Sequence, residues 1–168
     1  MSRVTVMGSG SWGTAFAMVL ADAGGDVVMW SRDADTAESI NARHMNERYH
    51  SGITLPQGIR ATTDAVQALG DSPLVVLAIP AQSLRENLGN WREHLAVDSV
   101  LVSLMKGIEN GTALRMSQVI EGVAGVPASR VAVVSGPNLA REIALRQPAA
   151  TTVACTDQVS AQQLQDAC

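Results

Sequence analysis

Three glycines stand at fixed spacing near the start of the chain, between an apolar run and an alanine-rich segment. Residues 4–17 read VTVMGSGSWGTAFA and contain Gly8, Gly10 and Gly13. With this spacing, the first glycine permits a tight turn, the second lets the backbone approach a pyrophosphate, and the third lets a helix pack on a strand. The N-terminus of that helix favours negative charge. The pattern predicts a dinucleotide-binding turn; the alternative is a glycine-rich turn that only joins strand to helix.

Trp12 stands inside this turn. A large indole ring at such a position is costly unless it packs on something. Two interpretations remain open at this point: the ring shields one side of a bound cofactor, or it locks the turn itself.

A second candidate site residue follows the next apolar run, which ends VVMWSRD. Enzymes that bind NAD carry an acidic residue here for the ribose 2′-hydroxyl, whereas this chain has Ser31 and Arg32. A cation at that position suits a 2′-phosphate, so the sequence favours NADP(H) over NAD(H). Two alternatives remain: the neighbouring Asp33 turns toward the ribose, or Arg32 is only a solvated residue at the end of the strand.

Two further strand ends carry polar groups. Lys106, in VSLMKGIENGT, is the only lysine among the 12 basic residues. Its ammonium could bind a phosphate or polarise a carbonyl as hydride arrives. In VVSGPNLAREI, Gly136 and Pro137 predict a turn and Asn138 a helix cap, which would offer a second helix N-terminus to an anion beside the lysine. The alternatives are a solvated lysine and a plain cap.

These candidates need a scaffold that brings strand ends together. Apolar runs rich in Val, Ile and Leu alternate with segments of helical character, which predicts strands buried on both faces and right-handed crossovers. We therefore expect a Rossmann-type doubly wound α/β fold, with a mainly parallel sheet of six or more strands and helices on both faces. The predicted strands are 4–7, 26–30, 74–79, 100–104, 131–134 and 151–155, and the predicted helices are 13–23, 34–44, 81–94, 111–122, 138–146 and 157–167.

Residues 46–62, NERYHSGITLPQGIRAT, interrupt this alternation. They contain Gly52, Pro56 and Gly58 and show no steady periodicity. We expect an irregular excursion here, followed by a short helix over 63–69.

Composition narrows the class of protein. A hydrophobic content of 46% and a net charge of −4 are typical of a globular domain, and scattered basic residues with three Trp, one Tyr and one Phe argue against a nucleic-acid partner. No apolar run approaches the roughly 20 residues of a membrane span, so we expect a cytoplasmic protein. Cys155, Cys168 and the three histidines lack metal-ligand spacing, and no metal site is expected.

Taken together, GSGSWGTAFA, VVMWSR, NERYHSGITLP, SLMKGIE and SGPNLAREI occur in an order and spacing that resembles the bacterial NAD(P)-dependent glycerol-3-phosphate dehydrogenases. The resemblance spans essentially all 168 residues. It is specific, because unrelated Rossmann domains share the first motif but not the lysine–glycine strand end together with the SGP turn. It implies reduction of dihydroxyacetone phosphate to sn-glycerol 3-phosphate with NADPH or NADH, for phospholipid synthesis.

The resemblance also implies roles for individual residues. Lys106 would touch both cofactor and substrate. Asn138 and Leu139 stand where Ser or Thr followed by Phe is more usual, although an amide can still donate and accept hydrogen bonds. The implied cofactor contacts are Ser11, Trp12, Arg32, Tyr49, Lys106 and Ala140, and the implied substrate contacts are Lys106, Gly136 and Asn138.

The resemblance implies a second, helical domain as well. The family's proton-transferring lysine lies there in a lysine–asparagine motif, which these residues lack, so we expect residues 1–168 to form the NAD(P)-binding domain and to contain no catalytic residue. A homodimer is expected for the full-length protein. The alternatives are another two-domain dehydrogenase, of the ketopantoate reductase or 6-phosphogluconate dehydrogenase type, and a non-catalytic module that senses NADP(H).

Overall fold

Short runs of branched apolar residues form the strands of this protein, and longer segments with polar faces form its helices. The computed structural model describes residues 3–168. Within them the strands are β1 Arg3–Met7, β2 Asp26–Trp30, β3 Ile59–Thr62, β4 Leu74–Leu77, β5 Val100–Ser103, β6 Val131–Ser135 and β7 Thr152–Ala154. The α-helices are α1 Ser11–Asp22, α2 Ala34–Arg43, α3 Glu47–His50, α4 Ala65–Leu69, α5 Leu84–Trp91, α6 Met116–Ala124, α7 Ala140–Ala144 and α8 Gln158–Asp166.

The strands form one sheet in the order β3-β2-β1-β4-β5-β6-β7. All neighbouring pairs are parallel except β6 and β7, which are antiparallel. The chain first builds outward from β1 through β2 to β3, then crosses back to β4 and builds in the other direction. This doubly wound order confirms the predicted Rossmann-type fold and places a crevice beside the carboxyl ends of β1 and β4.

Both faces of the sheet are covered by apolar side chains. Val4 and Val6 of β1 belong to the cluster that includes Phe16 of α1, while Met7 belongs to the opposite cluster with Leu88 of α5. Successive residues of a strand point to opposite faces. The central strands are therefore buried on both sides, and their positions are fixed by packing from two layers of helices.

The predicted excursion contains a strand and a short helix that the sequence analysis did not identify. β3 reads IRAT and pairs in parallel with β2 at the edge of the sheet. Ile59 and Ala61 are buried, whereas Arg60 is exposed and lies 2.7 Å from Asp26. Two apolar residues in four are too few for a recognisable period, so the expectation of irregular chain was wrong for residues 59–62 and 47–50.

Several predicted helices are shorter than expected; the one predicted over 81–94, for example, is an α-helix only over Leu84–Trp91, with a 3₁₀ turn on either side. Two others differ at the site. The segment from 111 begins its helix only at Met116, because residues 107–115 form a loop with positive φ at Gly107, Gly111 and Ala113. The helix predicted over 138–146 spans only Ala140–Ala144. Both differences lie at the carboxyl ends of strands, where loops of this fold carry function.

Candidate functional site

The glycine turn, residues 8–13, links β1 to α1 and faces the crevice. Gly8 has φ +132°, and a Cβ there would lie 2.4 Å from the carbonyl oxygen of Ala78. A Cβ on Gly13 would lie 2.3 Å from the carbonyl oxygen of Gly8. A Cβ on Gly10 would meet no atom within 4 Å. Packing therefore requires the first and third glycines, while the second borders open space that a ligand can fill.

The N-terminus of α1 lies next to that open space. This helix is 12 residues long, its N-cap residue Gly10 has no side chain to cap it, and its first turn contains no acidic residue. The first amides of a helix have no partner within it, and the helix dipole adds partial positive charge at this end. The turn is thus suited to an anionic group such as a pyrophosphate.

A first cleft of about 320 Å³ opens over the glycine turn. Its walls come from residues 8–12, from Arg32 and Tyr49, and from residues 78–80. Arg32 is exposed, and Tyr49 is partly exposed. The structure therefore brings the predicted cofactor contacts of three separate segments to one cleft.

Asp33 is engaged elsewhere. It is the N-cap of α2, and its carboxylate accepts hydrogen bonds from the backbone amide of Thr36 at 3.2 Å and from the Thr36 hydroxyl. The hydrogen bond from the hydroxyl is the main reason that the pKa of Asp33 lies below its usual value. The carboxylate of Asp33 therefore caps a helix and Asp33 does not line the cleft, so Arg32 is the charged residue in its lining.

A second cleft of about 380 Å³ adjoins the first and shares Trp12 and residues 78–80 with it. Lys106, Asn138 and Ala140 line this second cleft. The ammonium of Lys106 donates to the carbonyl oxygen of Gly136 at 3.3 Å. The predicted substrate residues, although separated by about 30 positions in the chain, are therefore neighbours beside the carboxyl ends of β5 and β6.

Asn138 does not cap a helix, and this prediction from the sequence was wrong. The N-cap of α7 is Leu139, and the buried Asn138 amide donates to the hydroxyl of Thr151 at 2.6 Å. The contact ties the turn after β6 to the approach to β7. The five-residue α7 is also too short to provide the second anion site that the sequence suggests.

The loop that carries Lys106 is held by the half-buried carboxylate of Glu109. Arg85 donates to both oxygens of Glu109, at 2.9 Å and 2.8 Å, and Thr112 donates to Glu109 as well. Gln82 bonds to the backbone at Ile108 and Asn110. The guanidinium of Arg85 is the largest cause that lowers the pKa of Glu109 to about 2. The loop therefore has a fixed shape although it contains several residues with positive φ.

Trp12 contributes to both clefts. Its ring packs on the core, with its centroid 6.0 Å from that of Phe16, and its indole nitrogen is buried without a hydrogen-bond partner in the described structure. The packing is that expected of a residue that locks the turn. Its position on the shared wall also leaves one edge available to a ligand.

Two residues that the sequence analysis did not assign to the site contact the glycine turn without lining the cleft. Asn46 donates to the carbonyl oxygen of Ser9 at 2.9 Å, and the Nε2 atom of His50 lies 2.7 Å from the carbonyl oxygen of Ser11. Both side chains are buried. Nothing in the sequence around them indicates this contact, because it joins segments 37 and 39 residues apart.

Among residues 3–168, no group of three or more His, Cys, Asp or Glu side chains is arranged to hold a metal ion. None of the helices described for this part of the chain has the length and apolar character needed to cross a membrane.

Comparison with known proteins places the chain in a family. The model for the N-terminus of NAD-dependent glycerol-3-phosphate dehydrogenase matches residues 3–161. The chain is 58% identical over 166 residues to glycerol-3-phosphate dehydrogenase (NAD(P)+) of Streptomyces griseus, which covers 99% of this chain and 49% of that protein. The Corynebacterium jeikeium protein of the same name is 53% identical over 167 residues, 99% of this chain and 50% of that protein.

A solved structure agrees with these relatives. The crystal structure of glycerol-3-phosphate dehydrogenase from Coxiella burnetii superposes with a TM-score of 0.90 at 27% identity, over 99% of this chain and 50% of that one. The chain spans about half the length of the relatives that it matches. Fold, motifs and relatives agree, and the chain belongs to the NAD-dependent glycerol-3-phosphate dehydrogenase family, whose N-terminal part it matches.

Proposed function

We propose that this chain is the NAD(P)-binding half of an enzyme that reduces dihydroxyacetone phosphate to sn-glycerol 3-phosphate. The observation that carries the proposal is the pair of adjoining clefts. One contains the glycine turn and the other contains Lys106, and Trp12 with residues 78–80 forms the wall between them. A dinucleotide that lay across this wall would have its pyrophosphate at the turn and its reactive ring beside the lysine.

The residues present fit a dinucleotide. Gly10 leaves open the space that a Cβ would take, and the uncapped α1 N-terminus supplies amides and positive potential for the pyrophosphate. When bound, the nicotinamide supplies the hydride. The part of this chain is to hold that group in place and to keep Lys106, an exposed cation, at the edge where the substrate phosphate or carbonyl arrives.

The site roles follow from this arrangement. Lys106 contacts both cofactor and substrate, and Gly136 with Asn138 forms the wall of the substrate pocket. The other proposed cofactor contacts are Gly8, Gly10, Ser11, Trp12, Gly13, Arg32, Tyr49 and Ala140. A carbonyl that accepts hydride also needs a proton, and no described side chain beside Lys106 is suited to supply it. We place that proton donor, together with most contacts to the substrate phosphate, in a second domain outside these 168 residues.

The cofactor that we propose is NADP(H). Arg32 is exposed at the cleft, and the neighbouring carboxylate of Asp33 is occupied by Thr36. A guanidinium binds a phosphate through charge-assisted hydrogen bonds, which a ribose hydroxyl of NAD(H) cannot match. The enzyme is proposed to act as a cytoplasmic homodimer.

The experiment is the loss of NADPH absorbance when the complete gene product meets dihydroxyacetone phosphate, with ketopantoate as the control substrate. We expect rapid loss with dihydroxyacetone phosphate and none with ketopantoate. Loss with ketopantoate alone would mean that the protein uses this fold for a different dehydrogenase reaction. Absence of any loss in a protein that binds NADPH would instead favour a module that senses the nucleotide.

A further inference from the structure

Asn46 and His50, at the two ends of α3, contact the backbone of the glycine turn. Asn46 is 1% exposed and His50 is fully buried. Neither side chain lines the cleft over the turn. Any effect that they have on a ligand in that cleft must therefore pass through the backbone of the turn.

Asn46 holds the first part of the turn. Its Nδ2 atom donates to the carbonyl oxygen of Ser9 at 2.9 Å and to the hydroxyl of Thr14 at 2.8 Å. Although Asn46 is the N-cap residue of α3, its side chain makes no capping hydrogen bond there. The usual reason for an asparagine at the start of a helix is therefore absent, and its donors are directed at the turn.

His50 holds the second part. Its Nε2 atom lies 2.7 Å from the carbonyl oxygen of Ser11 and 3.5 Å from the hydroxyl of the same residue. A carbonyl oxygen only accepts, so Nε2 carries the proton and donates. This places a hydrogen bond on the first residue of α1, within the first turn of that helix.

The two contacts come at a cost that packing alone does not explain. Oδ1 of Asn46 and Nδ1 of His50 are buried, and neither has a partner in the described structure. A buried polar atom without a hydrogen bond destabilises the folded protein, because it has lost its hydrogen bonds to water and gained none in return. An apolar side chain at either position would avoid that cost, so the donors serve a purpose other than filling the space.

The side chains of Asn46 and His50 are also not needed to anchor α3 to the rest of the protein. Residues that follow α3 hold it to the rest of the protein: Ile53 and Leu55 are in the core, and the amide of Leu55 donates to the carbonyl oxygen of His44 at 2.8 Å. The segment thus has apolar and backbone anchors of its own. It can act as a fixed support from which Asn46 and His50 reach the turn.

The peptide geometry shows what the contacts achieve. A trans peptide points its carbonyl and the following amide in opposite directions, and the described chain has no cis peptide. Holding the Ser9 carbonyl inward therefore points the Gly10 amide outward. In the same way, holding the Ser11 carbonyl points the Trp12 amide toward the N-terminal end of α1.

We propose that Asn46 and His50 are positioning residues, which fix the amides of Gly10 and Trp12 toward the pyrophosphate of the bound nucleotide without touching it. The inference rests on the proposed function, because it requires a dinucleotide at the glycine turn. Preorganised donors need no reorganisation when the ligand arrives, so binding loses less free energy to ordering. The pyrophosphate is common to NADPH and NADH, and both should depend on these residues equally.

The test is calorimetric titration of this chain with NADPH and with NADH. We expect Asn46→Ala and His50→Leu each to raise both dissociation constants by the same factor, about tenfold, which corresponds to the loss of one net hydrogen bond. His50→Gln keeps a donor at this position and should recover most of the affinity. Asn41→Ala is the matched control, since Asn41 also makes two hydrogen bonds, both to Ala61, away from the turn.

A second measurement separates positioning from loss of stability. Amide order parameters of Gly10 and Trp12 should be near the rigid value of about 0.85 in the unaltered chain, and lower in His50→Leu but not in Asn41→Ala. Unchanged affinity in both turn-directed variants, or an equal loss in Asn41→Ala, would overturn the inference. Failure of the unaltered chain to bind either nucleotide would overturn the proposed function, and the inference with it.

Discussion

At the scale of single residues, the three glycines of the turn differ in what surrounds them. Gly8 and Gly13 lie against backbone oxygens, whereas Gly10 faces open space. The sequence motif contains all three glycines, but the fold requires a glycine only at Gly8 and Gly13. The middle one borders the space in which the proposed function places the pyrophosphate.

This difference predicts opposite results for two alanine substitutions. Gly8→Ala should destabilise the fold by about 2–4 kcal/mol, because the new methyl meets the Ala78 carbonyl and φ is +132°. Gly10→Ala should cost less than about 1 kcal/mol, since φ is −72°, yet raise the dissociation constant of NADPH at least about tenfold. Urea unfolding and nucleotide titration measure both. Equal destabilisation by the two variants would show that Gly10 also serves packing.

Arg32 is expected to set cofactor preference. Arg32→Glu should raise the dissociation constant of NADPH by about ten- to a hundredfold, the range for loss of a charge-assisted hydrogen bond, with a much smaller change for NADH. Titration of the same preparation with both nucleotides gives the ratio directly. If NADPH affinity relative to NADH does not fall, another residue recognises the 2′-phosphate.

At the scale of elements, the loop between β5 and α6 depends on one ion pair. Arg85 of α5 and Glu109 of the loop join this helix to the loop that carries Lys106. The loop has positive φ at three positions, so its shape is not set by backbone preference alone. The Arg85–Glu109 pair and the Gln82 hydrogen bonds stabilise the loop shape that backbone preference alone does not determine.

The pair also predicts a pH dependence. The pKa of Glu109 is lowered from 4.5 to about 2 in the folded protein, so its contribution to stability is present above about pH 4.5 and is lost as the pH falls toward 2. The free energy of unfolding, measured in urea between pH 7 and pH 2.5, should fall less steeply in Glu109→Gln than in the unaltered chain. Identical slopes would mean that the carboxylate is not paired in solution.

At the scale of the whole molecule, the two clefts meet at the point where the direction of strand order reverses. β1 carries the glycine turn, β4 leads into residues 78–80, and β5 carries the lysine loop. Each cleft draws its walls from segments distant in sequence. The crevice is therefore a property of the sheet rather than of any one motif.

The proposed division of the active site between two domains predicts that this chain binds the nucleotide without catalysing the reaction. This 168-residue chain should bind NADPH, yet show no loss of NADPH absorbance with dihydroxyacetone phosphate, because the proposed proton donor lies elsewhere. Calorimetry and a spectrophotometric assay on one preparation measure both properties. Turnover by this chain alone would contradict the two-domain assignment.

The sequence by itself determined the fold class, the glycine turn and the family. Their signals are local: branched apolar runs for buried strands, and short motifs whose residues are adjacent in the chain. It also placed Arg32 and Lys106 at strand ends, where the sheet then brought them to neighbouring clefts. Edge strand β3 escaped detection because four residues with two buried side chains carry too little pattern.

Only the tertiary structure decided the roles of several polar side chains. Asp33 caps α2, Asn138 bonds to Thr151 instead of capping a helix, and Asn46 and His50 reach back to the glycine turn. Each choice depends on which partner lies within hydrogen-bond distance after folding. The Asp33 cap is a local contact, with Thr36 three residues away. For Asn138, Asn46 and His50 the partner lies 13, 37 and 39 residues away in the chain, so no local pattern can specify it.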